Sequence, residues 1–227
     1  MLGDPNPLDF ARDGAELFPA ALAEPQCAAI EDVLAGYPAD LPGLRIADAP
    51  ALAGLLAADG PIGRVAATAL GTGARPVRAI LFDKGAARNW GLGWHQDRTI
   101  VVAERAAVDG FGPWTIKAGL VQVEPPFAIL ERMVTLRVHL DAVDAENAPL
   151  RILTGSHRLG RLEEAAIEQL VETAQERACL AARGDIWLYA TPIVHASSPA
   201  SRPRRRRVMQ VDYAAEALAE PLRWRGV

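Results

Sequence analysis

The stretch Gly184–Tyr213 reads GDIWLYATPIVHASSPASRPRRRRVMQVDY. Two runs within it, Ile186 to Tyr189 and Arg207 to Tyr213, are short, apolar and rich in β-branched and aromatic residues, as buried strands are. Gly184-Asp185 precedes the first run, and the segment Ser197 to Pro203 separates the two, so turn-forming residues bound both. His195 follows the first strand and precedes that turn. Side chains alternate across a strand, so Arg206, Val208 and Gln210 share one face while Arg207, Met209 and Val211 share the other. Only one of the two adjacent arginines points inward.

Working upstream, the same pattern recurs at Ala79 to Phe82, Leu120 to Val123, Met133 to Leu140, Arg151 to Leu153 and Leu180 to Ala182. One helix interrupts the series, Leu162 to Arg177, with apolar residues at helical spacing. The first third differs. Alanine- and leucine-rich segments opened by Pro25, Pro50 and Pro61 predict helices through Leu34, Ala58 and Leu70. Helices first, then many short strands, predict an α+β, mainly β fold. Its core is a double-stranded β-helix (a cupin-like jelly roll) with the N-terminal helices packed on it. We expect one domain over 1–227, with a helical part over 1–75 and the jelly-roll core over 76–215.

The 227 residues are 50% hydrophobic and 23% charged, with a net charge of -4. That balance gives no general attraction to nucleic acid or to an anionic membrane. No apolar run is long enough to span a bilayer, and the opening MLGDPNPLDFARDG lacks the apolar core of a leader. With only Cys27 and Cys179, no disulfide framework is expected, and a cytoplasmic setting is. Oligomeric state is not legible.

Four histidines occur. Gly93-Trp94-His95-Gln96-Asp97 places an imidazole and a carboxylate two residues apart, on one face of an extended segment. His195 supplies a second imidazole. Two imidazoles and one carboxylate on one face of an octahedral ion form the ligand set of mononuclear non-haem iron(II) oxygenases. Three positions stay open, two for a 2-oxoacid and one for dioxygen. Arg206 stands 11 residues after His195 (206 − 195). A guanidinium there is a planar fork suited to the far carboxylate of 2-oxoglutarate. For Arg202, Arg204 and Arg205 a solvated basic loop is expected, and a nucleic-acid partner is not.

FARDGAELFP, ILFDK with NWGLGWHQD, APLRILTGSH, ARGDIWLYATPIVHASSP and RPRRRRVMQVDY occur in that order from about Phe10 to Tyr213. In this the chain resembles the phytanoyl-CoA dioxygenase family of iron(II)/2-oxoglutarate oxygenases. The resemblance implies His95, Asp97 and His195 as metal ligands. It implies Arg206 as the carboxylate-binding arginine, with Arg207 the register alternative. It also implies polar contacts to 2-oxoglutarate from Lys84, Asn89 and Ser197, and a structural turn at Gly155-Ser156-His157. Arg137 or His139 faces the cavity, Arg137 as a candidate contact for an anionic substrate. Trp90 and Trp94 flank the His-x-Asp turn as wall aromatics, Trp94 also as a candidate substrate contact. The short chain leaves little room for acyl-CoA contacts, so a smaller substrate is expected. The rival readings are a cupin-type isomerase or hydrolase without 2-oxoglutarate, and a non-catalytic binding protein on the same scaffold.

Overall fold

A computed structural model describes residues 7–38 and 43–227. Residues 1–6, part of the stretch examined above for a leader, lie outside the described residues. In chain order the elements are α1 (Phe10–Asp13), β1 (Ala15–Phe18), α2 (Glu24–Leu34), β2 (Leu44–Ile46), α3 (Ala53–Leu56), α4 (Gly63–Leu70), β3 (Arg75–Lys84), β4 (Leu92–His95), β5 (Ile100–Val102), β6 (Trp114–Lys117) and β7 (Leu120–Val123). They continue as α5 (Phe127–Glu131), β8 (Met133–His139), β9 (Leu150–Leu153), α6 (Glu164–Thr173), β10 (Glu176–Cys179), β11 (Ile186–Ala190), β12 (His195–Ser197) and β13 (Arg206–Ala214).

Three antiparallel sheets result, ordered β1-β11-β8-β13-β3-β2, β10-β9-β12-β4 and β5-β7-β6. The first two face each other as the halves of a jelly roll, as expected. Alternation decides which side chains go where. On the outer face of the large sheet, Leu81, Leu136, Val138, Leu188, Met209 and Val211 pack against Ile30 and Leu34 of α2, Leu56 of α3 and Val65 of α4. Burying each large side chain contributes roughly 1.5–3 kcal/mol. The inner face carries Arg78, Lys84, Arg137, Arg206 and Gln210, so the same strands that hold the helices present cations to the interior. Trp187 and Tyr189 close one end against Leu150 and Ile152 of the second sheet. On that sheet's far side α6 packs Ile167 against Leu153 and Val194.

The first third is not purely helical. β1 pairs with β11 and β2 with β3, extending the large sheet at both edges. The strand expected at Leu180 to Ala182 lies instead at Glu176–Cys179, because those residues take the ladder with β9. The helix expected through Arg177 therefore ends at Thr173, with Ala174 already extended. Among the described residues no helix is long and apolar enough to cross a membrane.

Candidate active site

β12 begins at His195, which pairs directly with His95 at the end of β4. The two imidazoles are cross-strand neighbours, with ring centroids 4.3 Å apart. Each ring is aimed from behind. The Nδ1 of His95 lies 2.7 Å from the Gly93 carbonyl and that of His195 lies 2.9 Å from the Ile193 carbonyl. A carbonyl only accepts, so both Nδ1 atoms donate and both Nε2 lone pairs are free. Asp97 follows two residues after His95, and one ligand atom from each of the three residues lies within 4.8 Å of the others.

Arg78 sets the charge behind Asp97. It sits 3.6 Å from that carboxylate and makes a closer ion pair with buried Asp212. Thr135 donates to Asp212 at 3.1 Å and Gln210 at 3.2 Å. Burial alone would raise the pKa of Asp97, but the Arg78 guanidinium foremost outweighs it and holds the carboxyl below its ordinary value. An ionised carboxylate and two free Nε2 atoms form a complete donor set for one divalent ion, so these residues fit an iron(II) centre.

Beside the donors is a cationic socket. Arg206 is 2% exposed and bonds the Ala148 carbonyl through one nitrogen, while its Nε has no partner. Burial, and then the like charge of Arg137, lower its pKa to about 9. Lys84 pairs with Arg206 across the ladder. Its ammonium donates to the Trp90 carbonyl at 2.7 Å and to Ser197 Oγ at 3.3 Å. Burial first, then Arg206 and Arg137, push Lys84 down to about 7. Ser197 in turn donates to the Ala148 carbonyl at 3.3 Å. Two adjacent buried cations and an unpartnered N–H fit a carboxylate.

The donors and the socket line one cavity of about 400 Å³, a size suited to small-molecule ligands. Arg137 lines it too. Arg207 does not: it points to the opposite face, paired with Asp141 at 2.9 Å and closely with Glu31. Two candidates lie off the cavity. Asn89 clips two loops together through both backbone groups of Ala200. Trp94 is on the outer face of β4, packed towards α6 with Arg151 4.9 Å above its ring. His157 packs so tightly on Gly14 that a Cβ there would lie 2.2 Å from its Nδ1, a structural role. In the arginine run Arg202 pairs with Glu146 and Arg204 with Asp144.

Sequence reasoning missed Arg78 and Asp212, and placed Gln210 on the face of Arg206 without giving it a role. The available signal was the two-residue period Arg78, Ile80, Phe82, Lys84, a row on one face of β3 that ends in a residue already singled out.

His139 shares the inner face with Arg137 but lies outside the cavity lining, and neither ring nitrogen has a partner. Burial, then Arg137 and Arg206, lower its pKa to about 3. Below pH 6.5 the unfolded chain takes up a proton here that the folded chain refuses, so this group removes stability as pH falls from about 6.5 towards 3. In urea titrations, His139→Leu should lose about 2 kcal/mol less than the parent between pH 7 and pH 5. Equal losses would show that the ring is not held neutral.

Fold and donor set together are those of a metal-dependent jelly-roll enzyme. The chain matches the phytanoyl-CoA dioxygenase family over residues 10–208 and belongs to it. It is accordingly an iron(II)- and 2-oxoglutarate-dependent oxygenase that uses dioxygen. Among solved structures, EctD from S. alaskensis with 2-oxoglutarate and 5-hydroxyectoine superposes with a TM-score of 0.68 at 21% identity, covering 96% of this chain and 77% of that one. AviO1 from Streptomyces viridochromogenes Tue57 gives 0.64 at 19%, covering 93% and 94%. HygX from Streptomyces hygroscopicus with nickel and 2-oxoglutarate bound gives 0.60 at 15%, covering 90% and 84%. At these identities the likeness is one of fold. No curated protein matches the chain in sequence.

Proposed function

We propose that this chain hydroxylates an unactivated C–H bond of a small molecule, with His95, Asp97 and His195 as the iron ligands and Arg206, assisted by Lys84 and Ser197, as the seat of the far carboxylate of 2-oxoglutarate. The observation that carries the reading is the adjacency of a complete donor set to a buried, unneutralised cation pair within one cavity. Iron(II) held by His95, Asp97 and His195 would supply the oxidant from dioxygen and 2-oxoglutarate, the latter being converted to succinate and CO2.

The protein's own residues orient and insulate. The Gly93 and Ile193 carbonyls fix both imidazole tautomers. Arg78 keeps Asp97 ionised. Arg206 and Lys84 fix the cosubstrate in one direction, and the two sheets exclude bulk water from the reacting atoms. A cupin-type isomerase or hydrolase that does not take 2-oxoglutarate would have no use for the socket. We also read the chain as one domain, since β1 and β2 complete the large sheet. The free, buried thiols of Cys27 and Cys179 support a cytoplasmic setting.

The test is anaerobic titration with iron(II) and then 2-oxoglutarate. A weak visible absorption band should appear only with both, and admitting air should yield succinate. Absence of both the band and succinate would overturn the reading.

A further inference from the structure

Besides Arg78, whose charge Asp97 and Asp212 take up, six cations line the cavity: Arg206, Lys84, Arg137, Arg45, Arg98 and Lys117. None of the six has a carboxylate partner among the described residues, and Asp97 is the one carboxylate in the lining. Elsewhere many arginines are paired, Arg183 with Glu24 and Glu31, for instance, and Arg207 with Asp141. The imbalance is therefore a property of the cavity.

Resting on the proposed function, a charge balance can be drawn. Iron(II), Asp97, the 2-oxoglutarate dianion and Arg206 sum to zero, or to +1 where Lys84 is protonated. Arg137 then remains as an uncompensated buried charge, with Arg45, Arg98 and Lys117 nearer the mouth. Arg137 is 6% exposed. It donates to Gln210 Oε1 at 3.2 Å, and its guanidinium lies 5.0 Å from the centre of the Phe82 ring. One polar contact and one ring leave most of its five donors unused. A buried cation with no counter-charge is costly, and an anionic ligand removes that cost. Gln210 lies four residues beyond Arg206 on β13, roughly 13 Å along the strand. Gln210 is the residue directly opposite Arg137 on the β8–β13 ladder, so the two arginines leave the sheet at separate points along the cavity.

We infer that the primary substrate is an anion, and that its carboxylate or phosphate is received by Arg137 within the same cavity. The outer cations Arg45, Arg98 and Lys117 draw it in.

The protein loaded anaerobically with iron(II) and 2-oxoglutarate is titrated with acetate, methylphosphonate and neutral acetamide, reading the visible band and the melting temperature. Acetate or methylphosphonate should perturb both saturably, and whichever binds more tightly names the anionic group. Acetamide should do nothing. Arg137→Gln should weaken the anion response at least ten-fold while leaving the 2-oxoglutarate band in place, and Arg137→Lys should retain part of it. The inference is overturned if acetamide matches acetate, if neither anion acts, if Arg137→Gln keeps the full response, or if it abolishes the 2-oxoglutarate band. A parent protein that shows no band sinks the oxygenase reading instead, so the two failures are distinguishable.

Discussion

Arg206→Met should raise the 2-oxoglutarate concentration needed for half-saturation by roughly 30-fold to several thousand-fold. Truncating one partner of a buried, hydrogen-bonded charge pair costs about 2–5 kcal/mol, and each 1.4 kcal/mol is ten-fold in affinity. Methionine keeps much of the side-chain volume, so the effect reads charge and hydrogen bonding rather than a void. The same substitution should leave the cosubstrate-free protein at least as resistant to urea as the parent. In that state Arg206 is a buried cation with no acidic partner and an unpartnered Nε, and removing it relieves a desolvation cost. Arg207→Met is the matched control. It breaks the pairs with Asp141 and Glu31 on the outer face, so it should lower stability and leave 2-oxoglutarate affinity unchanged. Unchanged affinity in Arg206→Met, measured by anaerobic titration of the visible band, would remove Arg206 from the cosubstrate site.

Asp97→Ala should lower iron-dependent succinate formation by roughly three orders of magnitude or more. Loss of a residue merely supporting a ligand costs about 10–100-fold, and loss of a ligand costs more. Among the described residues the lost group is also the only anion in the cavity lining. Its removal turns the Arg78 guanidinium from a counter-charge into a repulsive neighbour of any cation placed at the two imidazoles. The fold should survive, because Arg78 keeps its closer partner Asp212. Equilibrium dialysis against iron(II), with circular dichroism of the same sample, checks both halves. Iron binding equal to that of the parent would sink the ligand assignment.

What was legible in the sequence was local. Strand alternation showed that only one of Arg206 and Arg207 points inward, though not which, and the apolar runs placed most of the strands of the large sheet. What was not legible depends on partners distant in the chain. β1 and β2 are four and three residues long, too short for a period, and exist because β11 and β3 offer them an edge. The Arg78–Asp212 pair joins opposed positions of the β3–β13 ladder, 134 residues apart. Asn89 and Trp94 misled because nearness in sequence to a ligand is not nearness in space: Asn89 lies in a loop that bonds Ala200 instead. Trp94, next to His95 on a strand, is for that reason turned away from the cavity.

The direct pairing of His95 with His195 has an evolutionary consequence. Two of the three donors are set by the register of one antiparallel ladder, with a bulge falling just beyond, between His195 and Ser197. Loop lengths on either side can therefore drift without moving the imidazoles apart. A one-residue slip of β4 against β12, by contrast, would turn one ring to the outside. Residues at the mouth, such as Arg45, Leu92 and Lys117, are free of that constraint. A lineage can exchange them, and with them its substrate, while the metal-binding ladder is inherited intact.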